Sequence, residues 1–311
     1  MSVDHRHASP ARIALGFTAV YILWGSTYLG IRFAVASMPP FLMAGTRHLI
    51  AGFLLYILFR LRGEPKPTRV HWRSATLLGG LLLLGGNGLV SVAEQTVPSG
   101  IAALMVAAVP FWMVLLNALE KGAAPRLSVL AGLALGVVGL MILVFPSGGH
   151  APDHVDPTGI WVLLAATFSW AMGSLYAHRA PLPSSTFLGI GMEMIAGGLL
   201  CWLVGLVSGE GAVLHLAAFT PKSLLALGYL IVFGSLLGFS AYVWLLKVTT
   251  PARASTYAFV NPVIAVLLGW ALAGEPLTPR IALAGATIVA AVCLILYFGA
   301  TRAKPESAPE T

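Results

Sequence analysis

Charge is what this sequence has least of. Only 9% of its 311 residues are Asp, Glu, Lys or Arg, against roughly 25% in an ordinary soluble domain, and a mean hydropathy of +0.88 excludes a soluble globular chain. Aspartate is scarcer still: Asp4, Asp153 and Asp156 stand in the N-terminal tail and one loop. No apolar run holds an aspartate pair, and the His-Glu-x-x-His, Gly-x-Ser-x-Gly and Walker lysine patterns are missing. Of eight histidines only His48 lies clearly within an apolar run. A catalytic acid–base pair, a metal centre or a nucleotide site has almost nothing to be built from, so no enzyme activity, metal or cofactor is expected. The two cysteines, Cys201 and Cys293, sit in apolar runs and read as small core residues rather than a disulfide framework. Eighteen Lys and Arg against 11 Asp and Glu give +7, but spread over short loops they argue against nucleic-acid binding.

What is abundant is long apolar sequence. Ten runs approach the 20 or so residues that span a bilayer as helix: Ile13 to Ala34, Pro40 to Phe59, Ala75 to Ala93, Gly100 to Leu119, Leu127 to Phe145, Gly159 to Tyr176, Ser185 to Val207, Leu224 to Leu246, Ala254 to Ala273 and Ile281 to Phe298. The first is too long for a signal-peptide core and is expected to be retained. Short separators rich in Gly, Pro and charge predict helical hairpins. One set of loops and tails carries fourteen Lys and Arg, the other only Lys222 and Arg280. The positive-inside rule therefore predicts both termini in the cytoplasm.

The chain also repeats itself. Ile50-Ala51-Gly52 recurs about 145 residues later as Ile195-Ala196-Gly197, and Val97 to Pro110 aligns with Thr250 to Pro262. Each aligned stretch leads to an acidic hairpin loop, with Glu120 or Glu275, and to a Pro-Arg helix start. The fold class expected is an all-α membrane protein of ten transmembrane helices in two five-helix repeats. Because five is odd, the repeats must be inverted in topology. They span residues 13–146 and 158–299, joined by a periplasmic linker (147–157), with cytoplasmic tails at 1–12 and 300–311.

Trp24-Gly25-Ser26 in the first span, Pro40 with Arg47 in the second, Pro110 and Pro262 in the fourth and ninth, and the two glutamate loops resemble the EamA-type transporters of the drug/metabolite transporter superfamily. The resemblance covers about Ile13 to Phe298. It implies a gradient-dependent or facilitative carrier, and bacterial members typically export amino acids and related metabolites across the inner membrane. Near the position matching Arg47, the second half has Met192 and Glu193, so an arginine role is not carried over to that half.

Ionisable and polar groups inside hydrocarbon are the first candidates for a substrate path. The expected cavity residues are Trp24, Ser26, Tyr28, Arg47, Asn87, Trp170, Glu193, Tyr257 and Asn261. Arg47 would attract a carboxylate, and Glu193 would hold an amino group or take up a proton. The alternative is an internal Arg47–Glu193 ion pair, since helix rise puts the two within less than about 10 Å in depth. Trp24 and Trp170 could line the cavity or simply pack. Ser91, Gln95, Asn117 and Thr256 are weaker polar candidates. Pro110 and Pro262, which free the carbonyls of Val106 and Ala258, are candidate hinges. The glycine steps Gly132–Gly136 and Gly234–Gly238 favour close helix crossing. The expected partners are a small-molecule substrate and the bilayer, with a monomer or homodimer both open. Efflux of aromatic organic cations, with Glu193 as countercharge, is the nearest rival. A lipid-modifying enzyme and a passive channel stand further off.

Overall fold

The computed structural model describes residues 9–122, 127–144, 156–177, 179–249 and 257–300. Most of both tails and of the 147–157 linker, and Thr256, lie outside the described residues. Among those residues there is no strand. The helices are α1 (Pro10–Val35), α2 (Pro40–Leu61), α3 (Arg69–Ala93), α4 (residues 99–121), α5 (Leu127–Val144), α6 (Pro157–Ala177), α7 (Thr186–Val207), α8 (residues 221–248), α9 (Tyr257–Ala273) and α10 (Pro279–Ala300). Seven of them are long and apolar enough to cross a membrane, α1–α4 and α6–α8, and α5, α9 and α10 contribute shorter apolar stretches.

Local sequence explains where the helices start and stop. Proline occupies the first turn of α1 and α2, where its missing N–H is not needed. Thr68 and His71 form a reciprocal cap on α3, and Thr220 caps α8 by accepting from the Ser223 amide. The ends of α2 and α7 are the same device twice. Gly63 and Gly209 take φ of +88° and +87°, and the amides of Glu64 and Glu210 fold back onto the carbonyls of Phe59 and Gly205.

Two spans depart from the regular helix expected of them. The middle of α3 (Gly79–Gly88) and the middle of α8 (Leu230–Phe239) are π-helical. These wider turns, rare at this length, leave carbonyls open to side chains of neighbouring helices. Ser169 donates to Leu81 O at 2.8 Å and Trp24 Nε1 to Gly234 O at 3.3 Å. In α4 the helix breaks between Ser99–Val106 and Val109–Lys121, because Pro110 cannot supply an amide to continue the ladder. Pro262 sits inside α9 without such a break.

Apolar side chains cover the outside and small residues fill the inside. Leu199, Leu203 and Val207 of α7 are exposed, whereas Gly189, Gly191, Gly197 and Gly198 are buried. That is the distribution a bilayer demands, since association there rests on close packing rather than on burying leucine. Trp161 and Tyr297 are exposed on the outside of the bundle. Cys201 is buried but Cys293 is exposed, so only the first is the core residue expected.

α2 and α7 run antiparallel in the closest contact. A Cβ on Gly52 would stand 2.8 Å from the Ile195 amide nitrogen, and one on Gly198 would stand 3.0 Å from the Gly45 carbonyl. The remaining principal pairs are α5 with α10, α4 with α9, α1 with α8 and α9, α3 with α6 and α7, α2 with α8, and α4 with α6. Beyond Ile31 and Val90 a continuous apolar cluster with Ala34, Met38, Ala93 and Val97 closes the bundle at the α1–α2 loop end. Toward the opposite end α1 and α4 are more exposed, as at Leu15, Leu115 and Leu119.

A methyl group on Gly79 would meet the Gly197 amide nitrogen at 2.5 Å, whereas one on Gly228 meets nothing within 4 Å. Gly79→Ala should therefore lose about 1–3 kcal/mol of stability, while Gly228→Ala should be neutral or gain up to about 1 kcal/mol. Thermal unfolding of the two variants in detergent is the check.

Candidate functional site

A cavity of about 80 Å³ lies between the helices. Residues of α1–α4 and α6–α9 line it. Seven of the nine residues expected at the site face it: Trp24, Tyr28, Arg47, Asn87, Trp170, Tyr257 and Asn261. Ser26 and Glu193 do not. The Ser26 hydroxyl turns away, to the carbonyls of Ile22 and Leu23 and to the Tyr229 hydroxyl. On α7, Met194 takes the lining position, and Glu193 is buried with its backbone carbonyl against Gly79 of α3. Glu193 makes no ion pair among the described residues, so the internal Arg47–Glu193 bridge does not form. Adjacent residues on a helix diverge by about 100°, and depth along the membrane normal says nothing about facing.

Arg47 is 5% exposed. Its Nε donates to Ser235 Oγ of α8 at 2.8 Å, and no carboxylate among the described residues lies within ion-pair distance of it. The guanidinium passes over Gly234, where a Cβ would stand 2.8 Å from Nη2, and the Trp24 indole passes over Gly238 at 2.8 Å. The glycine step read as a helix-crossing motif thus seats two cavity side chains. Gly136, in the other step, accommodates the Phe111 ring, and Gly139 the side chain of Ile288.

Aromatic rings form one wall. Trp24 meets Trp170 edge-on at 6.4 Å between centroids and Tyr257 edge-on at 5.1 Å, and lies 4.9 Å from Tyr242. Edge-to-face contacts of this kind hold rings rigidly while leaving π faces available to a ligand. Trp112 donates to Thr167 Oγ1 at 2.9 Å, while Trp244 packs over Gly16 and Tyr176 joins an apolar cluster. Ser91 turns back onto the Asn87 carbonyl, and Gln95 is exposed. The side chain of Asn117 lies outside the described residues.

Two polar groups on the cavity wall are buried without any partner: both ring nitrogens of His48 and Oδ1 of Asn261. His48 was not among the residues expected at the site, although it is the lone histidine of the apolar runs and adjoins Arg47. Ser235, Thr27 and Thr167, likewise unexpected, line the cavity too. The cavity therefore offers donors at Arg47, a donor–acceptor at His48, an unmet acceptor at Asn261 and an aromatic wall. No carboxylate lines it among the described residues. No group of His, Cys, Asp and Glu among those residues could hold a metal.

The model of the EamA-like transporter family matches residues 11–145 and again 157–297. The chain belongs to that family, within the drug/metabolite transporter superfamily. It is a multi-pass membrane transporter. It is 43% identical over 279 residues to the uncharacterized inner membrane transporter YedA of Escherichia coli strain K12, covering 89% of this chain and 88% of that one. It is 28% identical to a probable amino-acid metabolite efflux pump of Salmonella typhimurium, covering 91% and 95%. A solved crystal structure 21% identical to it has a TM-score of 0.62, covering 94% of this chain and 98% of the other, and supports the fold alone.

In this transporter Gly234→Ala should push the guanidinium off its seat without touching the α2–α7 contact. Transport should fall at least about tenfold, the size of effect expected when one buried charge contact is lost, while the unfolding temperature stays within a few degrees. Initial rates in proteoliposomes beside melting curves would separate the two effects.

Proposed function

We propose that this chain exports amino acids and related small metabolites across the bacterial inner membrane by alternating access, as a ten-span inverted-repeat bundle with both termini cytoplasmic. The observation that carries this reading is Arg47: a buried guanidinium facing a cavity that no carboxylate lines, and with none in ion-pair distance, among the described residues. A charge held out of water needs a counterion, and here the fold leaves that place to the ligand. A substrate carboxylate on Arg47 would leave an ammonium free to meet the Asn261 oxygen and the aromatic faces of Trp24, Trp170 and Tyr257.

Inversion is supported by the double family match and by the packing. Exchanging each helix of the first half with its counterpart in the second maps the principal pairs onto one another: α1 with α8 onto α6 with α3, and α1 with α9 onto α6 with α4. The π-helical stretches fall in counterpart helices α3 and α8. Closure at the α1–α2 loop end, read with the uneven distribution of Lys and Arg, makes this a conformation closed to the periplasm. The break ahead of Pro110 supplies a place for α4 to bend, while Pro262 would act within a continuous helix. Organic-cation efflux finds less support, because its countercharge Glu193 is off the cavity.

Labelled L-leucine and L-phenylalanine offered to proteoliposomes should enter faster when the same amino acid is trapped inside. Arg47→Ala should reduce this counterflow at least about tenfold, as expected for loss of a charge-assisted contact. Uptake of both no faster than into protein-free vesicles, or full activity in Arg47→Ala, would remove the amino-acid reading.

A further inference from the structure

A second recess lies on the outside of the bundle, at the end opposite the α1–α2 loop. It is a groove of about 780 Å³ along α3, bounded on its far side by Leu200 of α7. The α3 lining runs Arg69, Trp72, Arg73, Thr76, Leu77 and Gly80. Steps of three and four keep these residues on one helix face, and at 1.5 Å per residue they cover about 17 Å of depth. The order along that face is a gradient of polarity. Two guanidiniums stand where the span begins, an indole and a hydroxyl follow, and leucines and a bare glycine line the deeper part. A phospholipid has the same order, from phosphate through ester to acyl chain.

Arg69 and Arg73 are exposed, and neither joins an ion pair among the described residues. No carboxylate among those residues lines the groove. From 60 to 73 the chain carries Arg60, Arg62, Lys66, Arg69 and Arg73 against Glu64 alone. The start of α8 differs, because its cation, Lys222, lies 3.5 Å over the Phe33 ring. The Trp72 ring leans on Tyr56 of α2, with centroids 5.9 Å apart, which fixes the indole at the depth of the headgroups. At Gly80 an added Cβ would meet only Leu200 Cδ1, at 3.5 Å, so the floor of the groove is open to a chain. A free phosphate would use the arginines and leave that apolar half empty.

We propose that this groove binds one anionic phospholipid, with its phosphate on Arg69 and Arg73 and an acyl chain along Leu77, Gly80 and Leu200. Arginines one turn apart can grip a single phosphodiester together. A zwitterionic headgroup brings an ammonium toward the same two cations and is disfavoured. The lipid touches both α3 and α7, two helices that also line the transport cavity, and so braces them from outside. The site holds whatever solute the cavity carries.

The test uses purified full-length protein in neutral detergent, titrated with phosphatidylglycerol or phosphatidylethanolamine of the same acyl chains. Native mass spectrometry counts the bound lipid, and melting curves report its effect. The wild type should bind one phosphatidylglycerol at least about tenfold more tightly than phosphatidylethanolamine, a ratio that two arginines at the membrane surface can supply. It should also melt at a higher temperature with that lipid bound. Arg69→Gln/Arg73→Gln should bind the two lipids alike and lose the melting shift. Arg62→Gln/Lys66→Gln removes as much charge from the same loop outside the groove, and should keep the preference. Gly80→Leu should weaken phosphatidylglycerol binding with both arginines in place. An equal loss in Arg62→Gln/Lys66→Gln overturns the proposal, since the total charge of the loop would then account for the attraction. So does an unchanged preference in Arg69→Gln/Arg73→Gln, undiminished binding in folded Gly80→Leu, or a melting shift that inorganic phosphate alone reproduces. If Gly80→Leu does not fold, the two arginine variants and the phosphate control decide.

Discussion

In hydrocarbon every backbone amide and carbonyl must find its partner within the protein, and the rest of this structure follows from that constraint. It makes the described membrane-spanning segments helical and keeps the connections short. It also makes each irregularity informative, because a carbonyl released from the helical ladder must be met by something else. The π-helical stretches of α3 and α8 are such irregularities, and their freed carbonyls accept from Ser169 and Trp24. The cavity lies between these two stretches, where regular ridge-and-groove packing is interrupted.

The same low dielectric governs the side chains. A charge there is expensive, yet Arg47 stays buried with a single neutral hydroxyl as its hydrogen-bonded partner. His48 and Asn261 leave polar atoms unmet on the same cavity wall. Orphaned polar groups distributed at random would destabilise the bundle without return. Gathered on one wall, they leave polar atoms free to meet a ligand in the cavity.

Glycine does two jobs in this protein that look identical in one dimension. Gly52, Gly191, Gly197 and Gly198 bring backbones of α2, α3 and α7 into contact, while Gly234 and Gly238 leave room for the Arg47 guanidinium and the Trp24 ring. Spacing of four alone does not tell backbone approach from a seat for a side chain. The difference lies in what stands opposite.

Composition and apolar run length determined by themselves that the chain is a helical membrane protein, and the paired motifs pointed to its transporter family. Arg47, Asn87, Asn261 and the aromatic residues could be picked out as site candidates, because polar and aromatic side chains in long apolar runs are too costly or too few to be incidental. Tertiary structure alone decided that Met194 rather than Glu193 faces the cavity, that Ser26 turns toward Tyr229, and that His48 belongs to the wall. It also decided that Glu94, written in a short polar connection, is fully buried. The reason is angular: sequence spacing gives depth along a helix, but facing depends on rotation about its axis. Here that rotation is set by glycine contacts between helices far apart in the chain, and by π turns that shift the register of everything after them.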